Sequence, residues 1–266
     1  MGQSIIVVDA FTDRPFAGNP AAVCVLPRER DEAWMQAVAR EMNLSETAFV
    51  RSGTDAWILR WFTPAVEVDL CGHATLATAQ VLWETGKVAP DQSIRFGTRS
   101  GLLTAERKGE WIELDFPATP ETPAPKPEGL SRALGAAPRY VGRTRFDYLL
   151  ELDDEAVVHE LRPDFRKLAA LGVRGVIATS RADDPDGGYD FVSRFFAPES
   201  GVPEDPVTGS AHCALAPYWA ERLGKTELVG YQCSARGGTV RTRLAGDRVI
   251  LAGQAVTVLR GELAVD

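Results

Sequence analysis

The 266-residue sequence has little cysteine, no excess of positive charge and no long apolar run, and each shortage excludes something. Four cysteines, Cys24, Cys71, Cys213 and Cys233, with no C-x-x-C pair among them, give neither a disulfide framework nor a zinc ribbon. Cys24 and Cys233 read as small buried hydrophobes. Lys and Arg number 29 against 37 Asp and Glu, a net charge of -8, which argues against a nucleic-acid footprint or an anionic membrane surface as partner. No stretch approaches the roughly 18 apolar residues of a membrane span, and MGQSIIVVDAF has no basic region before its short apolar run, so a cytoplasmic protein is expected. What is present, 45% hydrophobic and 25% charged residues, suits an ordinary globular chain with a sizeable core.

The sequence repeats itself. RWFTP at 60–64 returns as RFFAP at 194–198, an offset of 134, and Gly72-His73-Ala74 matches Gly209-Ser210-Ala211 at an offset of 137. The run after each ends in Gly-Lys, at 86–87 and 224–225; Gly101 against Gly238, and Gly109-Glu110 against Gly246-Asp247, return to 137. The expected organisation is a first half over 1–117, a proline-rich linker over 118–129 and a second half over 130–255, with a final strand near 256–266 returning to the first half. Prolines at 117, 120, 123, 125 and 127 bar a helix or a central strand there.

Short alternating runs, AWILRWF (56–62), WIELDF (111–116), YDFVSRFF (189–196) and RVILAG (248–253), predict strands, and DDPDGG at 183–188 predicts a turn. Two helices are expected per half. Asp31 caps EAWMQAVAREM, with Trp34, Val38 and Met42 as its apolar stripe. The run 73–85 is small or apolar on nearly every side and therefore predicts a helix surrounded by structure. The fold class is α+β, each half a curled, mostly antiparallel sheet around a central helix.

Why would Cys71, His73 and Thr75 stand at the mouth of a buried helix? Such an N-terminus presents unpaired N–H groups and the positive end of the helix dipole, and a leading glycine admits a ligand to the backbone. Gly72-His73 and Gly209-Ser210 would then bind a small carboxylate in the cleft between the halves; alternatively, they only begin tightly packed helices. Glu46, at the start of a strand amid Leu44, Ala48, Phe49 and Val50, is either a proton-exchanging carboxylate raised by its apolar company or a solvent-facing strand end. Glu204 and Asp205 lead through a proline turn into the second helix mouth, as site residues or as an acidic loop.

The blocks VDAFTDRPFAGNPAAV (8–23), LSETAFV (44–50), RWFTPAVEVDLCGHATLA (60–77) and RFFAPESGVPEDPVTGSAHCAL (194–215) together resemble the PhzF family of phenazine-biosynthesis isomerases, which has the diaminopimelate epimerase fold. The resemblance covers both halves. It implies a homodimer acting on a small carboxylate-bearing molecule, such as trans-2,3-dihydro-3-hydroxyanthranilate, without cofactor or metal. By the same resemblance Glu46 is the acid/base and His73 and Asp205 complete the catalytic set. Ser45, Gly72, Gly209 and Ser210 would bind substrate, and Asn19 is a neighbour of the site or a turn residue. Two other readings remain: a cysteine-dependent epimerase or racemase using Cys71, and a non-catalytic small-acid binder. Against the epimerase, the repeat sets Thr208 opposite Cys71 and sets Cys213 opposite Leu76.

Overall fold

Alternating runs become strands, and the two glycine-led apolar runs become buried helices, in the computed structural model, which describes residues 2–184 and 186–264. Two units form, Met1–Asp115 with Ala252–Asp266, and Phe116–Leu251. In chain order the first elements are β1 (Gln3–Ala10), β2 (Asn19–Val25), α1 (Glu32–Met42), β3 (Glu46–Arg51), β4 (Trp57–Phe62), β5 (Glu67–Val68), α2 (Gly72–Glu84), β6 (Ile94–Thr98), β7 (Gly101–Lys108) and β8 (Trp111–Pro117). There follow β9 (Thr122–Pro123), α3 (Leu130–Leu134), β10 (Tyr140–Arg143), β11 (Asp147–Glu151), α4 (Glu155–Glu160), α5 (Phe165–Ala169), β12 (Gly175–Arg181), β13 (Phe191–Ala197), β14 (Val202–Asp205), α6 (Gly209–Leu223), β15 (Glu227–Gln232), β16 (Gly238–Ala245) and β17 (Arg248–Gly253). The last strand, β18 (Ala255–Leu263), pairs antiparallel with β1 in the first unit.

The fold is α+β, and its two units use one pairing scheme. In the first, β1–β2, β3–β4 and β6–β7 are antiparallel while β2–β3 and β4–β6 are parallel. In the second, β10–β11, β12–β13 and β15–β16 are antiparallel while β11–β12 and β13–β15 are parallel. Each sheet curls on its long helix. In α2 every residue except Gln80 and Glu84 is buried, against β1, β2, β3 and β18; α6 packs on β15 and β16. Leu76, Val81 and Leu82 are fully buried, each contributing about 1.5–3 kcal/mol of transfer free energy.

The repeat extends to charge pairs. Arg60 forks onto Glu67 (Nε–Oε1 2.6 Å, a second nitrogen to Oε2 2.6 Å), and Arg194 forks onto Glu204 (2.7 and 2.8 Å). Each guanidinium lies over the phenylalanine two residues on, 5.1 Å from the Phe62 centroid and 5.0 Å from that of Phe196. These bidentate contacts fix the short hairpins β4–β5 and β13–β14.

Two local expectations need correction. Asp31 does cap α1, its Oδ1 accepting the Trp34 N–H at 2.7 Å, but the buried stripe is Met35, Val38 and Ala39, with Trp34 and Met42 on its half-buried flanks. Among its described residues the second unit holds four α-helices rather than two, because α3, α4 and α5 are too short to show a helical period and owe their order to burial of Leu130, Leu134, Val158 and Leu168 in one cluster. The proline-rich run is stitched down: Thr122 and Pro123 pair with Arg143 and Gly142, and Tyr140 donates to Glu121. Of the turn at 183–188, Pro185 lies outside the described residues, as do Val265 and Asp266 at the end of the final strand's expected range. Among the described residues no helix is long and apolar enough to cross a membrane.

Candidate active site

In the first unit three element starts converge. Asn19 opens β2, opposite Ala10 of β1; Glu46 opens β3, opposite Ala21 of β2; His73 is the second residue of α2. Gly18 makes the turn into β2 with φ +63°, and a Cβ there would lie 2.2 Å from the Ala10 carbonyl oxygen, so only glycine fits.

The three side chains form one chain of polar contacts. Asn19 Nδ2 lies 3.1 Å from His73 Nδ1, and His73 Nε2 lies 3.2 Å from Glu46 Oε2. An amide nitrogen only donates, so Nδ1 accepts and the ring's single proton sits on Nε2, the ring nitrogen nearer the carboxylate. Burial pushes the His73 pKa down to about 3, so the imidazole is neutral at neutral pH. The Glu46 side chain is 16% exposed: screened from bulk water, yet reachable. Cys71 is the N-cap residue of α2, with Sγ 3.5 Å from His73 Nδ1; the ligand atoms of Glu46, Cys71 and His73 all lie within 4.8 Å of one another. Thr75 plays a structural part, its hydroxyl donating to the Cys71 carbonyl at 2.6 Å. Ser45 stands half-buried in the bend before β3, and Gly72 is the buried first residue of α2.

The second unit builds its own cluster at the start of α6. Asp205, the last residue of β14, is 9% exposed, and its Oδ2 accepts the Thr208 hydroxyl at 2.5 Å. Gln232, fully buried at the end of β15, locks the turn: its Oε1 accepts the Thr208 N–H (2.9 Å), and its Nε2 donates to the Asp205 carbonyl (2.7 Å) and the Thr208 hydroxyl (3.2 Å). Four residues into the turn, His212 donates from Nδ1 to the Thr208 carbonyl at 2.9 Å. Gly209 is the buried first residue of α6; beside it Ser210 Oγ accepts from Arg174 at 3.3 Å. Arg174 is itself held by Asp147, with Nε 2.9 Å from Oδ1 and a second contact to Oδ2, and its guanidinium lies 4.9 Å from the Phe146 ring centroid.

Asn19, Glu46 and His73 are thus brought into contact, with Ser45 and Gly72 adjoining them in sequence; Asp205, Gly209 and Ser210 share the α6 turn. Glu204 stands apart from Asp205, bound to Arg194. Sequence reasoning missed Gln232, Arg174 and Asp147, which lie in no motif; only a glutamine closing the apolar-alternating strand ELVGYQ hints at one of them.

Comparison with known proteins adds the following. The family described as phenazine biosynthesis-like protein (PhzC–PhzF) matches residues 8–261. A Halalkalibacterium halodurans protein named as an uncharacterized isomerase is 57% identical over 264 residues, covering 99% of each chain. A PhzF-family crystal structure from Enterococcus faecalis superposes with a TM-score of 0.94 at 44% identity over 100% of both chains. A Pseudomonas aeruginosa structure described as a predicted epimerase gives 0.78 at 25% identity, covering 99% of this chain and 100% of that one.

Proposed function

Because the chain belongs to the phenazine biosynthesis-like (PhzC–PhzF) family, we propose that it is an isomerase that moves a proton within a small carboxylate-bearing substrate resembling trans-2,3-dihydro-3-hydroxyanthranilate, with Glu46 as acid and base. The Glu46 carboxylate takes a proton from one carbon, the electron pair moves through the conjugated double bonds, and the same carboxyl returns the proton to a second carbon. Nothing is gained or lost, so no cofactor is required. A positioned acid/base of this kind is worth about 10²–10⁴-fold.

The observation that carries this reading is the 3.2 Å approach of His73 Nε2 to Glu46 Oε2. A neutral imidazole held by Asn19 stands beside the carboxylate without adding a positive charge, so Glu46 remains a usable base. In the first unit the N–H groups at the start of α2, freed for contact by Gly72, would hold the substrate's carboxylate, and Ser45 would add a hydroxyl; in the second, Asp205, Ser210 and the N–H groups freed by Gly209 are the candidate polar contacts at the start of α6. The same reading makes the protein a cytoplasmic homodimer.

Deuterium incorporation tests it. The protein is incubated in heavy water with the dihydro-hydroxyanthranilate and a panel of small amino and hydroxy acids, beside Glu46→Gln, and carbon-bound deuterium is followed by NMR. Exchange in wild type that is lost in Glu46→Gln is the expected result. Tight binding of a compound without exchange would make the protein a small-acid binder instead.

A second reading, a thiol-dependent epimerase, is favoured by Cys71 standing 3.5 Å from His73 Nδ1. It needs an opposing thiol. The residue matching Cys71 at the N-cap of α6 is Thr208, and Cys213 points along its own helix to the Gly209 carbonyl, its pKa pushed up to about 12 by burial. Exchange that survives Glu46→Gln and disappears in Cys71→Ala would establish this reading in place of the first.

A further inference from the structure

We propose that Glu46, Cys71 and His73 form a capture site for one thiophilic divalent cation of the zinc class, and that occupancy switches the carboxylate off. Among the described residues this is the one group of three metal-ligating side chains with all ligand atoms within 4.8 Å. Its composition is selective. Thiolate plus imidazole suits Zn²⁺ and its soft neighbours and discriminates against Mg²⁺ and Ca²⁺, which call for oxygen.

The ligand atoms lie within about 1 Å of the spacing of a tetrahedral centre. Zinc bonds of about 2.3 Å to sulfur and about 2.0–2.1 Å to nitrogen and oxygen place neighbouring ligand atoms about 3.3–3.6 Å apart. Here Sγ of Cys71 is 3.5 Å from Nδ1 of His73, and Oε2 of Glu46 is 3.2 Å from Nε2. The two distances end on different ring nitrogens, so one ligand must close by about 1 Å to share a single ion. Rotation about the Cys71 Cα–Cβ bond or of the Glu46 carboxylate supplies a movement of that size.

Asn19 provides the outer support a histidine ligand needs. With its amide turned over, its oxygen accepts a proton from Nδ1, and the Nε2 lone pair is released toward the Glu46 side. Three protein ligands leave a fourth position for water. Binding is a ligand exchange: the Cys71 S–H bond breaks, its proton goes to solvent, an S–metal bond forms, and no electron changes hands. A metal-bound Glu46 cannot accept a proton from carbon. This last consequence rests on the isomerase reading; the binding itself does not.

Cobalt(II) is the probe, titrated anaerobically into the metal-free full-length protein. One equivalent is expected to give a thiolate-to-cobalt charge-transfer band in the near ultraviolet and intense visible bands of a tetrahedral ion, both bleached by added Zn²⁺. Cys71→Ser should lose the charge-transfer band, and Glu46→Gln should weaken binding by about tenfold or more. Cys213→Ser should bind as wild type does, and circular dichroism confirms that each variant is folded. No charge-transfer band in wild type, or a band that persists in Cys71→Ser, overturns the proposal. Cobalt binding without deuterium exchange in any compound leaves the metal site standing and removes the isomerase reading. Exchange in a protein that gives no cobalt band does the reverse.

Discussion

Asn19 and His73, 54 residues apart in the chain, are joined by a buried hydrogen bond of 3.1 Å from an amide nitrogen to a ring nitrogen. That bond selects the tautomer. In ¹⁵N-histidine NMR spectra His73 should appear neutral near pH 7, with its proton on Nε2. In Asn19→Asp the group at Nδ1 accepts instead of donating, and the ring proton should move to Nδ1. An unchanged ¹⁵N pattern in that variant would show that Asn19 does not set the tautomer.

Thr208 ties Asp205 to Gln232 through one hydroxyl. Thr208→Val keeps the shape and deletes the oxygen, stripping one partner each from a buried carboxylate and a buried amide; the expected loss is about 1–3 kcal/mol in urea unfolding. Thr208→Ser should restore most of it. Equal stability of the valine variant would mean that the turn stands without this network.

His212 gives a pH dependence. Burial pushes its pKa down to about 4, against about 6.5 in an unfolded chain. Between these values the unfolded state binds a proton that the folded state refuses, so stability is full above about pH 6.5 and falls as the pH drops toward 4, by at most roughly 3 kcal/mol. Urea midpoints measured from pH 7.5 downward should fall more steeply for wild type than for His212→Gln. Parallel curves would show that His212 does not carry the effect.

Glu204 and Asp205 are sequence neighbours with separate tasks. Glu204→Gln leaves the Arg194 guanidinium, which is 10% exposed, without its carboxylate; a cost of about 3 kcal/mol is expected, and Arg194→Met in the same chain should recover part of it. Urea unfolding of the two single variants and the double variant measures the coupling. Additive effects would show that the fork adds nothing as a pair.

Much of this was legible in the chain. The duplication could be read because RWF and RFF, and the two glycine-led helices, carry strong local patterns whose offsets, 134 and 137, reappear as β4 against β13 and α2 against α6. Glu46 and His73 could be singled out because a carboxylate and an imidazole stood out in apolar company. Gln232 could not, since its value lies in three hydrogen bonds to residues 24 and 27 positions away. Arg174 and Asp147 are likewise an ion pair made across 27 residues, and nothing local marks either one. The α1 stripe was read only in part: Val38 is buried, and Trp34 and Met42 pack half-buried against the same cluster, whose centre Met35 and Ala39 fill.

Cys71 and Thr208 occupy the same address in the two units, the extended residue just before each buried helix, and neither side chain caps the helix it begins. The helices therefore take no cap from the residue before them, and each address serves its surroundings instead. At Thr208 the hydroxyl ties Asp205 to Gln232, while at Cys71 the thiol lies beside His73. A duplicated scaffold of this kind can set different chemistry at matching addresses while the paired helices and strands beneath repeat.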